Sequence, residues 1–353
     1  MRRVVLAGHI CVDITPGLRS DTRIEPGKLF EVGPLTMALG GCVANTGRDL
    51  ADLGLPVRLH SAVGDDELGS LVSRLIVDHP GMAGPPRVMK GVKTSYSIVL
   101  EPSGVDRTFW HHTGANDSFD GARIDLENCD LLHLGYPPLL PGLLIDDGTP
   151  LVALLERARA SGVTTSVDLA VVDRNSETGR LNWDRILRRM VAETDVLSPS
   201  VDDLTSALGI DEPVSGSLVS DLAERLIGWG AAVVMLSSGS GGLLLRTAGR
   251  ERLAAGGAAL SGLSDAWANV RIEVPPVPVP FAVTTNGAGD AATAGLLYAI
   301  AVGMDPRDAG TVASASSAAI LAGRPTTAQT LIDLRPDLEA MLRPYPQGGH
   351  PVP

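Results

Sequence analysis

The sequence predicts an α/β fold: three layers, with a mostly parallel sheet between two layers of helices, and a small β appendage. Three observations predict it. Short apolar, β-branched runs alternate along the chain with amphipathic runs of helical length, the pattern of parallel strands joined by crossover helices. Two segments, 15–35 and 90–112, break that alternation. Apolar residues make up 44% of the 353 and aromatics 3%, so the core is large and built from Leu, Val, Ile and Ala with closely approaching helices. The length fits one large domain with an appendage, or two domains.

The elements follow in order. "RRVVLAGHICVDI" is β-branched and apolar and reads as a buried first strand. "MALGGCVANTGRDLADLG" reads as a helix stopped by Gly54, "PVRLHSAVG" as a strand and "DDELGSLVSRLIVDH" as a helix. "KTSYSIVLEPSGVDRTFWHH" is two alternating segments around a turn at Pro102 and Gly104, a hairpin signal. "CDLLHLG", "VTTSVDL", "DVLSPS" and "AAVVMLSSG" read as further strands, separated by helices in "PLVALLERARASG", "WDRILRRMVAE" and "VSDLAERLIGWG". Two more helices begin near Asp290 and Asp305. The stretch 249–280, rich in Ala, Gly and Pro, reads as a surface insertion, and the tail as a flexible end.

Composition narrows the function classes. A net charge of −12 repels polyanions, and few aromatics leave no stacking platform, so no nucleic-acid partner is expected. No stretch reaches the ~18 apolar residues of a membrane span, so no membrane partner is expected. The apolar start carries His9 and reaches Asp13 without a cleavage-like site, which reads as a strand rather than a signal peptide. Cys11, Cys42 and Cys129 form neither a CxxC nor a disulfide framework, which points to a reducing, cytoplasmic setting.

The chemistry concentrates in "TTNGAGDAATAGL", residues 284–296. Glycines before a helix let backbone amides approach an anion closely. Gly287, Ala288 and Gly289 supply such amides, and Asp290 faces the same space. A carboxylate beside bound phosphate serves poorly for binding but well as the base that takes the proton of an attacking hydroxyl. The plainer reading, in which Asp290 caps a helix and the glycines make a turn, stays open at this level. Neither GxxxxGK[ST] nor a GxGxxG at the first strand–helix turn is present.

"TTNGAGDAATAG" closely resembles the C-terminal signature of the ribokinase-like (PfkB) sugar and nucleoside kinase family, roughly D-T-x-G-A-G-D-x-F-x-x-G. "GGCVANTGRDLADLG" resembles the family's N-terminal G-G-x-x-x-N, and "GHICVDI" its first strand with the terminal acid Asp13. "AVGDDELG", "HHTGAN" and "VMLSSGSGGLLL" resemble its V-G-x-D-x-x-G, G-A-N and T-x-G-x-x-G segments. The similarity runs over residues 4–323. It implies a ribokinase-like domain over 1–345, with a β lid from parts of 14–36 and 90–113 and a tail at 346–353. It implies ATP and Mg²⁺ as cosubstrate and metal, a small sugar-like acceptor, and a homodimer through the lid. Asp290 becomes the general base, with Gly287, Ala288 and Gly289 as anion hole. Asp13, Gly40, Gly41, Asn45 and Asn116 become acceptor ligands. Ser237, Gly239, Gly242, Asn286 and Ser317 lie on the nucleotide side, with Ser314 as an alternative to Ser317.

The departures carry information. Thr284 stands where the family has an acid of its monovalent-cation site, so potassium dependence is not carried over to this chain. Ala292 replaces an aromatic. The N-x-x-E that organises Mg²⁺ through water corresponds to Ser200-x-x-Asp203, which leaves Asp203 as the metal-side acid. His111 and His112 lack a second cluster with metal spacing and read as lid-edge or surface residues. Cys42 reads as a small core residue and Asp168 as a strand-end acid near the ligand edge. A nucleoside kinase and a catalytically silent sugar-binding regulator on the same fold are the competing readings.

Overall fold

The computed structural model describes residues 2–18, 26–101 and 107–342; the turn expected at Pro102 and Gly104 and the tail lie outside them. Nine strands form one sheet in the spatial order Arg271–Val274, Leu243–Thr247, Val233–Ser237, Val196–Leu197, Thr164–Asp168, Leu131–Gly135, Val4–Gly8, Val57–His60 and Met82–Ala83. From Val233–Ser237 to Met82–Ala83 every pairing is parallel. Leu243–Thr247 is antiparallel to both its neighbours. Chain order reverses beside Val4–Gly8: the next sheet strand, Val57–His60, pairs on one side, and Leu131–Gly135 on the other. At such a switch point the crevice beyond the strands' carboxyl ends is where α/β sheets bind ligands.

Alternate residues of each strand serve opposite cores. Val4 and Leu6 pack into a cluster with the helices Cys42–Asp52, Ala288–Val302 and Pro306–Leu321. Val5 and Ala7 pack into a second cluster with Ile145–Ala160, Trp183–Ala192 and Gly216–Gly228. This is the three-layer arrangement. The helices Ala288–Val302 and Pro306–Leu321 cross closely because small residues line the contact: a Cβ on Gly295 would sit 2.8 Å from Ala313 Cα.

Four strands make a second sheet in the order Leu35–Gly40, Cys11–Pro16, Tyr96–Leu100 and Thr108–His112. This sheet is built from the segments expected to form the lid, and Tyr96–Leu100 pairs antiparallel with Thr108–His112 as the hairpin signal predicts. Two expectations need correction. The first apolar run is not one strand: it breaks after Gly8, and Asp13 lies in the lid strand Cys11–Pro16. Gly8 has φ +118, and a Cβ there would meet the Gly135 carbonyl at 2.4 Å, so only glycine lets the chain turn from one sheet into the other. The stretch 249–280 is not a mere surface insertion. It buries Trp267 completely, donates Trp267 Nε1 to the Met304 carbonyl at 2.9 Å and adds Arg271–Val274 to the sheet edge.

Candidate active site

Asp290 occupies the third position of helix Ala288–Val302, after Gly287 at φ 84. That left-handed turn requires glycine and aims the first-turn amides outward, where they lack intrahelical partners. The capping reading of Asp290 fails: no side-chain cap bond forms at this helix. Its carboxylate instead takes Asn45 Nδ2 at 2.9 Å and Thr46 Oγ1 at 3.3 Å. Both donors belong to helix Cys42–Asp52, capped by Gly41, so the N-terminal and C-terminal motifs meet at one carboxylate. Asp290 is 2% exposed. Burial raises its pKa, against the opposing bonds from Asn45, Tyr136, Thr46 and Cys42.

Asp168, at the carboxyl end of strand Thr164–Asp168, joins this centre. Cys42 Sγ and one carboxylate oxygen each from Asp168 and Asp290 lie within 4.8 Å of one another. Burial, then the charge of Asp290, pushes the Asp168 carboxyl well above its ordinary range. Cys42 is fully buried, as expected of a small core residue. Its thiol lies 3.1 Å from His133 Nε2, and burial raises the thiol's pKa.

Asp13 Oδ2 accepts from Asn286 Nδ2 at 2.9 Å, which places Asn286, expected on the nucleotide side, against the strand Cys11–Pro16. Gly40 leaves room for that carboxylate, since a Cβ there would lie 2.3 Å from Asp13 Cγ. Asp13 Oδ1 accepts from the Cys11 thiol at 3.4 Å. Ser97 Oγ lies 3.0 Å from His111 Nδ1, and His111 Nε2 lies 3.3 Å from His9 Nε2. The His9 ring in turn neighbours Tyr136, with centroids 5.8 Å apart. Burial keeps both imidazoles neutral: His111 falls to about 4 and His9 lies well below its ordinary value. Asn116 is fully buried and donates Nδ2 to the Ile10 carbonyl at 3.0 Å, holding the crossing between the two sheets.

Ser237 ends strand Val233–Ser237 and bridges to Ser200; Gly239 and Gly242 flank the turn that follows. Ser200 caps helix Val201–Leu208 through a reciprocal pair of bonds with Asp203. That capping box occupies Asp203 Oδ2, while burial lifts the carboxyl to about 6. Ser314 donates to the Pro275 carbonyl at 3.0 Å, and Ser317 remains partly exposed on the same helix.

Sequence reading missed His9, Thr46, Tyr136 and His133, which carry no motif of their own. Tyr136 sits directly after a strand's carboxyl end, the one positional signal available. A cavity of about 400 Å³ lined by Arg159, Gly162 and Ala258 opens beside the start of strand Thr164–Asp168, at the edge opposite these groups.

The model of the pfkB family of carbohydrate kinases matches residues 1–331. A fructokinase of Rhizobium leguminosarum bv. trifolii is 26% identical over 308 residues, 84% of this chain and 79% of that protein. The structure of Arabidopsis thaliana ribokinase with ribose and ATP superposes with a TM-score of 0.70 at 18% identity, covering 95% of this chain and 99% of that one. An E. coli structure assigned to ribokinase II, with ATP and Mg²⁺, gives 0.68 at 18% identity, covering 96% and 100%.

Proposed function

The chain belongs to the pfkB family of carbohydrate kinases, and on that premise we propose that it transfers the γ-phosphoryl group of ATP to a hydroxyl of a small uncharged sugar or polyol. The observation that carries this is Asp290: a buried carboxylate beside the left-handed Gly287, held by Asn45 and Thr46 and not used as a cap. As the acceptor oxygen attacks phosphorus, Asp290 takes its proton, and a raised pKa makes it a stronger base for that step. The amides of Gly287, Ala288 and Gly289 stabilise the charge on the transferred group. Asp13, Asn45 and the gap at Gly40 and Gly41 orient the acceptor. Ser237, Gly239, Gly242 and Ser317 line the nucleotide side.

Asp290 lies close enough to add to the raised pKa of both Asp168 and Asp203, and the three acids make a donor set that fits a hydrated divalent cation. Asp168 and Asp203 would hold the waters of Mg²⁺, which supplies positive charge to the phosphates. The acceptor side favours an uncharged ligand: its acids are Asp13 and Asp290 and its imidazoles are neutral, so a sugar phosphate would meet like charge. The test is a coupled ADP-release screen over pentoses, hexoses, polyols, nucleosides and sugar phosphates. A free sugar or polyol with the highest kcat/KM fits the reading. Preference for a nucleoside or a phosphorylated sugar overturns the substrate class, and no acceptor-dependent release overturns the kinase reading.

A further inference from the structure

We propose that Glu101 is a positioning residue that fastens the lid to the entrance of the Gly287–Asp290 loop and so sets the orientation of the loop amides. Glu101 directly follows lid strand Tyr96–Leu100, and Arg107 directly precedes Thr108–His112. Glu101 reaches Thr284 and Thr285, and Arg107 reaches Thr285. The Glu101 carboxylate accepts from Thr284 Oγ1 at 3.2 and 3.3 Å, and from the Thr285 backbone N–H at 3.2 Å. Arg107 Nη1 donates to Thr285 Oγ1 at 2.7 Å. The next residue closes the run: Asn286 donates its backbone N–H to Thr284 Oγ1 at 3.1 Å and its side-chain amide to Asp13 at 2.9 Å. Three consecutive residues leading into Gly287 are thus tied to the lid sheet.

These ties matter because the segment has little structure of its own. Between strand Arg271–Val274 and helix Ala288–Val302 no helix or strand forms, so external bonds decide its peptide planes. A carboxylate that accepts a backbone N–H fixes one such plane through a charge-assisted bond. Thr284 is neutral, and the acid at this place comes from the lid instead. The lid that carries Asp13 on one strand therefore carries the loop's anchor on another, and acceptor binding and loop geometry share one support.

The inference rests on the kinase reading for its catalytic consequence but not for the contact itself, and the experiment separates the two. Hydrogen exchange of residues 284–289 is followed in the full chain for the wild type, Glu101→Ala and Glu101→Gln. In parallel come kcat for the best acceptor and equilibrium binding of a non-hydrolysable ATP analogue. The expected result is at least tenfold faster exchange and at least tenfold lower kcat in Glu101→Ala, with analogue affinity changed less than threefold. Glu101→Gln recovers most of both, because its amide oxygen accepts the same Thr285 N–H. Unchanged exchange in Glu101→Ala overturns the proposal, as does lost exchange protection across the whole chain, which marks a folding defect. If no acceptor supports turnover in the wild type, the kinase reading falls while the exchange data still decide the latch.

Discussion

Asp13 and Asn45 lie on the same rim of the cleft but differ in what they touch, and their variants should separate. Asp13 bonds Cys11 and Asn286, whereas Asn45 donates directly to Asp290. Removing a directional partner of a buried hydroxyl costs about 1–3 kcal/mol. Asp13→Ala should therefore raise the acceptor KM by ~5–160-fold with little change in the ATP KM, whereas Asn45→Ala should also lower kcat. Steady-state kinetics in both substrates checks this, and equal effects on the two KM values would point to misfolding. The His9–His111 contact gives a second prediction. The His111 pKa falls from 6.5 to about 4 on folding, so its contribution to stability is complete above 6.5 and is lost as pH drops from there toward 4. Between pH 6.5 and 4 the wild type should lose urea midpoint relative to His111→Gln, against the opposite trend of buried acids whose pKa is raised, such as Asp203; parallel profiles would show that the pair contributes nothing there. The acids and glycines of this site were legible because they stand in short motifs. His9 and Tyr136 were not, because their roles come from tertiary contacts, such as His9 meeting His111 from 102 positions away.

Among the elements, the helix pair Ala288–Val302 and Pro306–Leu321 sets where Asp290 sits. Gly295 is the tight point, with a Cβ placed 2.7 Å from Ser316 Oγ and 2.8 Å from Ala313 Cα. Backbone cannot yield as a flexible side chain does, so Gly295→Ala should cost about 1–3 kcal/mol by overpacking, despite the better helix propensity of alanine. Thermal unfolding should show a melting point several degrees lower; an unchanged or higher value would mean the crossing relaxes freely. The helices and parallel strands were readable from periodicity, since each buries a face whose spacing is written locally. The division of the first apolar run into two strands was not. One glycine at φ +118 sends Cys11–Pro16 into the other sheet, and apolar periodicity is blind to a turn made inside a continuously buried segment.

At the scale of the whole molecule, the second sheet carries exposed apolar side chains. Leu35, Met37 and Trp110 are exposed on one face of this sheet, with Met37 and Trp110 in one row across it through Ile14 and Ile98, an apolar face of the kind that marks an association surface. Light scattering should give twice the 36.7 kDa chain mass, and Met37→Glu with Trp110→Arg should halve it; a monomer at micromolar concentration in the wild type would contradict dimerisation through the lid. Among the described residues no helix is long and apolar enough to cross a membrane. The N-terminal helix, the C-terminal loop and the sheet edge converge on Asp290. Its most direct test compares wild type and Asp290→Asn under single-turnover conditions with γ-labelled ATP and the best acceptor, with ATP affinity measured separately. The amide keeps size and hydrogen bonding but cannot take the proton, so transfer should fall by ~10²–10⁴-fold while ATP binds as well or better. Retention of more than about half the wild-type transfer rate, against that ~10²-fold minimum, would contradict Asp290 as the base.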